Sequence, residues 1–194
     1  RNRILNPQGD FTYITVPIVK APQSTAINKI HVDETQQWRD KILSQLQIYK
    51  KRANYYEQVI ALIKQVFLMP YDNIAELNIH SIISVCEYLN IPFEYDVFSK
   101  MNLNIPEICE PDEWALHITE ELHYDEYINA PGGQTFFNKN KYTEKNIQLH
   151  FIEPELSPYV QKIGHFVPGL SIIDVMMFNS PEKIVQMLKE YTIV

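Results

Sequence analysis

The sequence has no apolar run long enough to cross a membrane, which takes about 18 or more consecutive apolar residues. Its longest apolar run, at 170–178, is interrupted by Ser171 and Asp174. Cysteine is scarce, because Cys86 and Cys109 are the only two, and two are too few for a disulfide framework. The chain has 17 basic against 24 acidic residues and a net charge of −7, which argues against a non-specific grip on nucleic acid or on an anionic membrane. No signal sequence is visible either, so we expect a soluble protein of the cytoplasm.

Motifs for metal ions and nucleotides are also missing. The chain contains no Cys-x-x-Cys and no His-Glu-x-x-His, its six histidines do not cluster, and no Walker or dinucleotide fingerprint is present. Glu113, His117 and Glu121 stand four residues apart on one face of a predicted helix, where a solvated face explains them better than a cation site. We therefore expect no metal site, and the sequence implies no particular cofactor.

What is present is the composition of a folded globular protein. The chain has 194 residues, 45% of them hydrophobic, so it is long enough for one domain spanning 1–194. Its hydrophobic core is large enough to need no disulfide bonds or metal ions for stability. Predicted strands are separated by helices, so we expect an α/β fold: a sheet of several strands alternating with helices on its faces, and a helical carboxy-terminus. Three successive helices indicate a helical sub-lobe within 33–91. The predicted helices are 38–49, 56–68, 74–89, 111–122, 172–178 and 182–191, and the predicted strands are 11–19, 93–98, 126–128 and 147–151.

Three side chains that can carry chemistry fall within ten positions near the carboxy terminus: His165, Ser171 and Asp174. An imidazole, a hydroxyl and a carboxylate can form a catalytic triad. Ser171 followed three positions later by Asp174, ahead of an apolar run, is also a helix-capping pair, and the spacing favours the cap. Free amides at that helix start are compatible with an anion site. A second candidate is Gly132-Gly133, which forms either a turn that cradles an anion or simply a tight turn.

Several of these residues resemble a known family. The carboxy-terminal residues Tyr159, Gln161, Phe166 and Pro168, the run 170–174 and Phe178-Asn179 resemble the signature of the WbqC-like proteins. Upstream, the segments 1–4, 13–17, 129–137 and 147–151, together with Trp38 and Tyr49, are similar to the same family. The resemblance therefore covers essentially the whole chain.

The sequence also departs from the family pattern. Asn129-Ala130-Pro131 stands where the family usually has Ser-Gly, and Ser180-Pro181 replaces the glycine that usually follows Asn179. Family members normally begin with a strand and a Gln-Pro-x-Tyr-x-Pro segment upstream of Arg1. We therefore expect the domain to be incomplete at its amino terminus, with a sheet edge that a second copy or a partner chain covers.

The resemblance implies a role in surface-polysaccharide (O-antigen) biosynthesis, in which glycine is transferred onto an amine or hydroxyl of a sugar, free or nucleotide-linked. His165 would then be the base, Ser171 or the amides at its helix start the oxyanion donors, and Asp174 the third catalytic candidate. Arg1 and Arg3, beside the Gly132-Gly133 turn, would bind the nucleotide phosphates. The other expected substrate contacts are Asn2, Asn129, Tyr159, Gln161 and Asn179.

Two alternatives stay open. One is a module that binds a nucleotide sugar or a carbohydrate without chemistry of its own, because the sequence contains no strongly reactive constellation. The other is a serine hydrolase, which is less favoured because nothing around Ser171 resembles a Gly-x-Ser-x-Gly elbow.

Overall fold

The structure is a computed structural model that describes residues 1–194. The chain divides into two compact units: unit 1 comprises Arg1–Glu94 and Leu156–Met187, and unit 2 comprises Tyr95–Glu155 and Leu188–Val194. The strands are β1 Asn2–Leu5, β2 Phe11–Ile14, β3 Glu126–Asn129, β4 Gln148–Pro154 and β5 Tyr191–Ile193. The helices are α1 Trp38–Gln45, α2 Tyr56–Leu68, α3 Ile74–Tyr88, α4 Glu113–Glu121, α5 Lys139–Glu144, α6 Ile172–Phe178 and α7 Pro181–Met187.

These elements confirm the predicted α/β fold class, with two small sheets and a carboxy-terminal pair of helices. Helices lie against both sheets, since α6 contacts β1, α4 contacts β3 and α5 contacts β4. The predicted domain limits and the sub-lobe at 33–91 stay predictions. No helix combines the length and the apolar character that crossing a membrane requires.

Unit 1 joins an antiparallel β1–β2 hairpin to five helices. In the hairpin Arg3 pairs with Tyr13, and Ile4, Leu5 and Ile14 are buried. Helix α1 is followed by a 3-10 turn that ends at Tyr49. The helical apolar stripes form the core because their side chains recur on one face of each helix. The core includes Trp38, Ile42, Leu46, Val59, Ile63, Leu77, Met176, Met177 and Ile184.

Unit 2 is built on a three-stranded sheet in the order β3-β4-β5. The β3–β4 pair is parallel, with α5 in the connection between them, and β5 pairs antiparallel with β4. The buried side chains come from α4, α5 and β4 and from the residue before β4. They are Leu116, Tyr142, Ile147, Leu149 and Phe151. Tyr142 is fully buried and donates its hydroxyl to the Asp112 carbonyl at 2.8 Å, so its one polar atom is satisfied.

Three predicted elements differ from the structure: one strand does not form, and one helix and one strand end earlier than predicted. The segment 93–98 forms no strand, because no sheet edge pairs with it, although its side chains alternate. The helix predicted at 182–191 ends at Met187, and Tyr191–Ile193 instead adds a strand whose Ile193 pairs with Ile152. The strand predicted at 11–19 ends at Ile14, beyond which only an isolated bridge forms, because Pro17 has no backbone N–H to donate.

Candidate functional site

His165 lies on an irregular segment, 157–170, that connects β4 to α6 in sequence and contacts the hairpin of unit 1. Its Nε2 is 2.7 Å from the Gly9 carbonyl oxygen. Gly9 has a φ of +83°, and a Cβ at that position would lie 3.2 Å from His165 Cε1, so the turn needs a glycine there. A carbonyl can only accept, so Nε2 carries the proton and Nδ1 of the neutral ring keeps its lone pair. Nδ1 makes no hydrogen bond and the side chain is exposed, so it is available as a base.

Arg3 connects the same hairpin to the same segment. One of its guanidinium nitrogens donates to the Gly169 carbonyl at 2.6 Å, and its own carbonyl accepts from the Ser171 amide at 2.8 Å. The guanidinium lies 5.3 Å from the centre of the Phe11 ring, and that of Arg1 lies 4.7 Å from the Tyr13 ring. Two exposed cations thus lie on aromatic rings at alternate positions of one strand.

Ser171 acts as the N-cap of α6. Its Oγ accepts from the Ile173 amide at 3.3 Å, as an N-cap does. Asp174, the other member of the predicted capping pair, does not bond to the Ser171 amide, which donates to the Arg3 carbonyl. At the other end of α6, Asn179 donates its side-chain amide to the Val175 carbonyl at 2.9 Å. Both polar side chains therefore satisfy backbone groups at the ends of this helix.

Asp174 is fully buried in the core of unit 1 and receives three neutral donors. The Tyr49 hydroxyl donates at 2.6 Å, the Tyr159 hydroxyl at 2.5 Å and Gln161 Nε2 at 3.1 Å. Burial raises the pKa of the Asp174 carboxyl, although the three hydrogen bonds oppose that shift. Burial, reinforced by the nearby Asp174 charge, also raises the pKa of Tyr49 and of Tyr159. The Asp174 carboxylate therefore links α6 to the irregular segment, through Tyr159 and Gln161, and to the 3-10 turn after α1, through Tyr49.

Gln161 is almost fully buried and extends this network. Besides Asp174, its Nε2 donates to the Val167 carbonyl at 3.1 Å, and its Oε1 accepts from the Val167 amide at 2.7 Å. A side-chain amide that pairs with both backbone groups of one residue closes the segment into a loop. This loop holds His165 in place.

The structure does not join His165, Ser171 and Asp174 in one hydrogen-bonded relay. The His165 ring bonds to a backbone carbonyl, the Ser171 hydroxyl to a backbone amide, and the Asp174 oxygens to tyrosine and glutamine side chains. All three lie in unit 1 together with Arg1, Asn2, Arg3, Tyr159, Gln161 and Asn179. Their catalytic and substrate-binding roles stay predictions.

The remaining predicted contacts, Asn129, Gly132 and Gly133, lie in unit 2. Gly133 is buried in a 3-10 turn, and a Cβ there would lie 2.5 Å from Asn129 Nδ2 and 3.1 Å from Phe151. A Cβ on Gly132 would meet nothing within 4 Å. Close packing therefore explains the second glycine, and the first faces open space. Their expected place beside Arg1 and Arg3 stays a prediction.

A cleft of unit 1 lies elsewhere, in residues that sequence reasoning did not select. It has a volume of about 890 Å³, within the range of small-molecule sites. Glu34, Arg39 and Tyr71 form a closed group on its wall, in which Arg39 donates to Glu34 and to Tyr71, and Tyr71 donates to Glu34. The Arg39 hydrogen bond holds the pKa of Glu34 below its ordinary value, and burial raises the pKa of Tyr71 to about 12. The group is therefore a fixed ion pair with a neutral phenol at neutral pH.

A signal for this cleft exists in the sequence. The predicted helices at 38–49 and 56–68 are joined by a short connection, and short connections make neighbouring helices antiparallel. The start of α1, with Arg39, must then lie near the end of α2, with Tyr71 just beyond it. The 5.0 Å contact between the Trp38 and Phe67 rings confirms that arrangement.

No three His, Cys, Asp or Glu side chains are grouped so as to hold a metal ion. The fold and these sites define a mixed α/β protein with an oriented, exposed histidine and an open cleft with a polar wall. The chain belongs to the WbqC-like protein family, whose sequence profile matches residues 1–186. No curated protein and no solved structure matches the chain. Membership associates the chain with polysaccharide gene clusters without naming a reaction.

Proposed function

We propose that this protein transfers a glycyl group onto an amine or a hydroxyl of a sugar, free or nucleotide-linked, during surface-polysaccharide biosynthesis. The observation that carries the proposal is the orientation of His165. Its Nε2 proton is donated to the Gly9 carbonyl at 2.7 Å, which leaves the Nδ1 lone pair exposed and able to take a proton from an attacking nucleophile.

In the proposed step, Nδ1 of His165 takes the proton from the sugar amine or hydroxyl as that atom attacks the carbonyl carbon of an activated glycyl donor. A C–N or C–O bond forms, and the bond to the leaving group breaks with its electron pair going to that group. The imidazolium then returns the proton to the leaving group. Arg1 and Arg3 would bind the phosphates of a nucleotide-linked sugar.

The other predicted catalytic residues serve this site indirectly in the proposal. Asp174 has no exposed atom, so it acts as a positioning residue that holds the loop carrying His165 through Tyr159 and Gln161. Ser171 is engaged at Oγ and at its amide, so we propose that it orders the start of α6 beside Arg3. Neither side chain is the nucleophile.

The test combines a thermal-shift panel of amino-sugar nucleotides and glycyl donors with a turnover assay. His165→Gln should keep the ligand-induced rise in melting temperature and lower the turnover rate by about 100-fold or more, because the side chain can still donate to Gly9 but cannot act as a base. His150→Gln, in unit 2, is the matched control and should leave turnover unchanged. Full activity of His165→Gln would contradict the proposal. A loss of activity in folded Ser171→Ala as large as that in His165→Gln would contradict the indirect role given to Ser171.

One observation favours the alternative of a carbohydrate-binding module. Each of the three predicted catalytic side chains is already bonded to a structural partner. A module of that kind would give thermal shifts with sugars or nucleotide sugars, no turnover with any glycyl donor, and unchanged binding in His165→Gln.

A further inference from the structure

The polar wall of the cleft offers hydrogen-bond donors and acceptors side by side. The Arg39 guanidinium has five N–H groups, of which three are used by Glu34 and Tyr71, so two remain free. The Glu34 carboxylate likewise keeps lone pairs beyond those that Arg39 and Tyr71 occupy. The Arg39 guanidinium also lies 4.3 Å from the centre of the Trp38 ring, which fixes its plane. This wall suits a ligand whose neighbouring groups both donate and accept.

The rest of the cleft is mainly apolar. Phe67, Leu68 and Met69, at the end of α2, line it together with Leu43 of α1. Leu68 is 85% exposed, whereas Ile63 and Val66 of the same helix are buried. A ligand that fills the cleft therefore needs one apolar face as well as polar edges.

The charges of the cleft disfavour an anionic ligand. Its lining contains the carboxylates of Glu34, Asp40 and Asp72 against the cations of Arg39 and Lys64, a formal charge of −1 with His31 neutral. The whole chain carries −7. Lys64 is the one lining cation without an ion pair, and the lining also contains two carboxylates, Asp40 and Asp72, without an ion pair, so a phosphate group gains little here.

We propose that this cleft binds an uncharged pyranose ring, with two adjacent ring hydroxyls on Arg39 and Glu34 and the apolar face of the ring against Phe67 and Met69. Each hydroxyl donates to the carboxylate or accepts from the guanidinium, as a planar bidentate pair requires. The cleft shares no residue with the loop that carries His165. It is thus a saccharide site separate from the proposed transfer chemistry, and it can exist whether or not that chemistry does.

The test is ligand-observed saturation-transfer NMR on the whole chain, with the methyl glycosides of glucose, galactose and mannose as probes. At least one glycoside should receive saturation and give a Kd in the millimolar range. Arg39→Lys keeps the charge but loses the planar fork, and should weaken binding by about tenfold or more. Tyr71→Phe keeps the ring but leaves Arg39 and Glu34 without the hydroxyl between them, and should weaken binding by about threefold to tenfold.

Two controls separate this proposal from others. Lys64→Met should leave glycoside binding unchanged, because the proposed contacts do not use that ammonium. His165→Gln should also leave it unchanged, whatever its effect on turnover. Circular dichroism checks that each variant is folded. If Arg39→Lys is unfolded, the glycoside affinity of Tyr71→Phe alone tests the proposal.

Three results would overturn the proposal. The first is that no methyl glycoside receives saturation. The second is that binding survives in folded Arg39→Lys and Tyr71→Phe, which would place the sugar elsewhere and leave the His165 proposal standing. The third is that inorganic phosphate or uridine monophosphate binds instead and is lost in Lys64→Met, which would make the cleft an anion site.

Discussion

The two units each bury a carboxylate, and they hold it in opposite ways. In unit 1, three neutral donors surround Asp174, and no cation lies against it. In unit 2, Asp112 is 1% exposed and faces the Lys141 ammonium at 3.2 Å, which also binds Glu113 at 3.0 Å and Glu110. Burial raises the pKa of Asp174, whereas the bond to Lys141 lowers the pKa of Glu113 to about 2. The neutral donors around Asp174 do not offset the effect of burial on its pKa, whereas the Lys141 cation keeps the pKa of its partner Glu113 low.

The largest expected effect follows from removing the unit 1 carboxylate. Asp174→Ala leaves two tyrosine hydroxyls and an amide without an acceptor in the core, and should lower the free energy of unfolding by about 3–5 kcal/mol. Urea unfolding of the wild type and of Asp174→Ala measures this loss of unfolding free energy. Trp38 lies in unit 1 and Trp114 in unit 2, so a Trp114→Phe background makes the fluorescence report on unit 1.

The matched control for this prediction is Asp174→Asn. It keeps the side-chain shape and one acceptor oxygen, and it carries no charge to bury, so it should destabilise unit 1 less than Asp174→Ala does. Equal losses in the two variants would contradict the account, because they would mean that the hydrogen bonds to this side chain contribute nothing.

The second largest effect should come from removing the unit 2 cation. Lys141→Met leaves Glu110, Asp112 and Glu113 close together without a counter-charge, one of them buried, so unit 2 should unfold at a lower urea concentration. The pKa of Glu113 should rise from about 2 toward its ordinary value of 4.5, measured by NMR titration of its carboxyl carbon. Lys145→Met, which removes an exposed pair with Glu120, is the control and should have little effect.

The helices could be predicted from the sequence because their apolar stripes, caps and stops lie within a few residues of one another. The apolar stripe from Tyr56 and the proline after Met69 predicted α2 correctly, and Asn73 caps α3 as expected, accepting from the Glu76 amide at 3.1 Å. The segment 93–98 was predicted wrongly because alternation indicates only that a strand is possible, whereas a strand also needs a partner elsewhere in the chain.

The same limit applies to the sites. His165 could be selected from a ten-residue window, but the Gly9 carbonyl that orients it is 156 positions away. Glu34 and Tyr71 are 37 positions apart, and no motif connects them. The cleft exists because α1 and α2 lie antiparallel, so only an argument from helix packing would have found it.

The third prediction compares two neighbouring glycines of unit 2. Gly133→Ala places a methyl group 2.5 Å from Asn129 Nδ2 and against the Phe151 ring, and should cost about 1–2 kcal/mol of unfolding free energy. Gly132→Ala meets no atom within 4 Å and should be close to neutral. Urea unfolding of unit 2, followed by Trp114, tests both. If Gly132→Ala instead abolished nucleotide-sugar binding in a folded protein, the turn would be a ligand site and not only a packed corner.

The smallest effect is a pH dependence of opposite sign in the two units. The folded pKa of Glu113 is about 2 against an ordinary 4.5, so the stability that it contributes to unit 2 is lost as the pH falls from about 4.5 to 2. The folded pKa of Asp174 lies above its ordinary 3.8, so the folded unit 1 binds this proton more tightly than the unfolded chain does. The stability from this proton is therefore lost as the pH rises past 3.8.

These slopes must be measured by difference, because Asp33, Glu34 and Glu182 of unit 1 also have lowered pKa values and add stability in the opposite direction. Wild type minus Asp174→Asn, followed by Trp38 fluorescence between pH 3 and 7, should show a stability difference that falls as the pH rises. Wild type minus Glu113→Gln, followed by Trp114, should show one that grows as the pH rises. If both differences had the same sign, the contrast between a carboxylate held by neutral donors in unit 1 and one held by a cation in unit 2 would not apply to this protein.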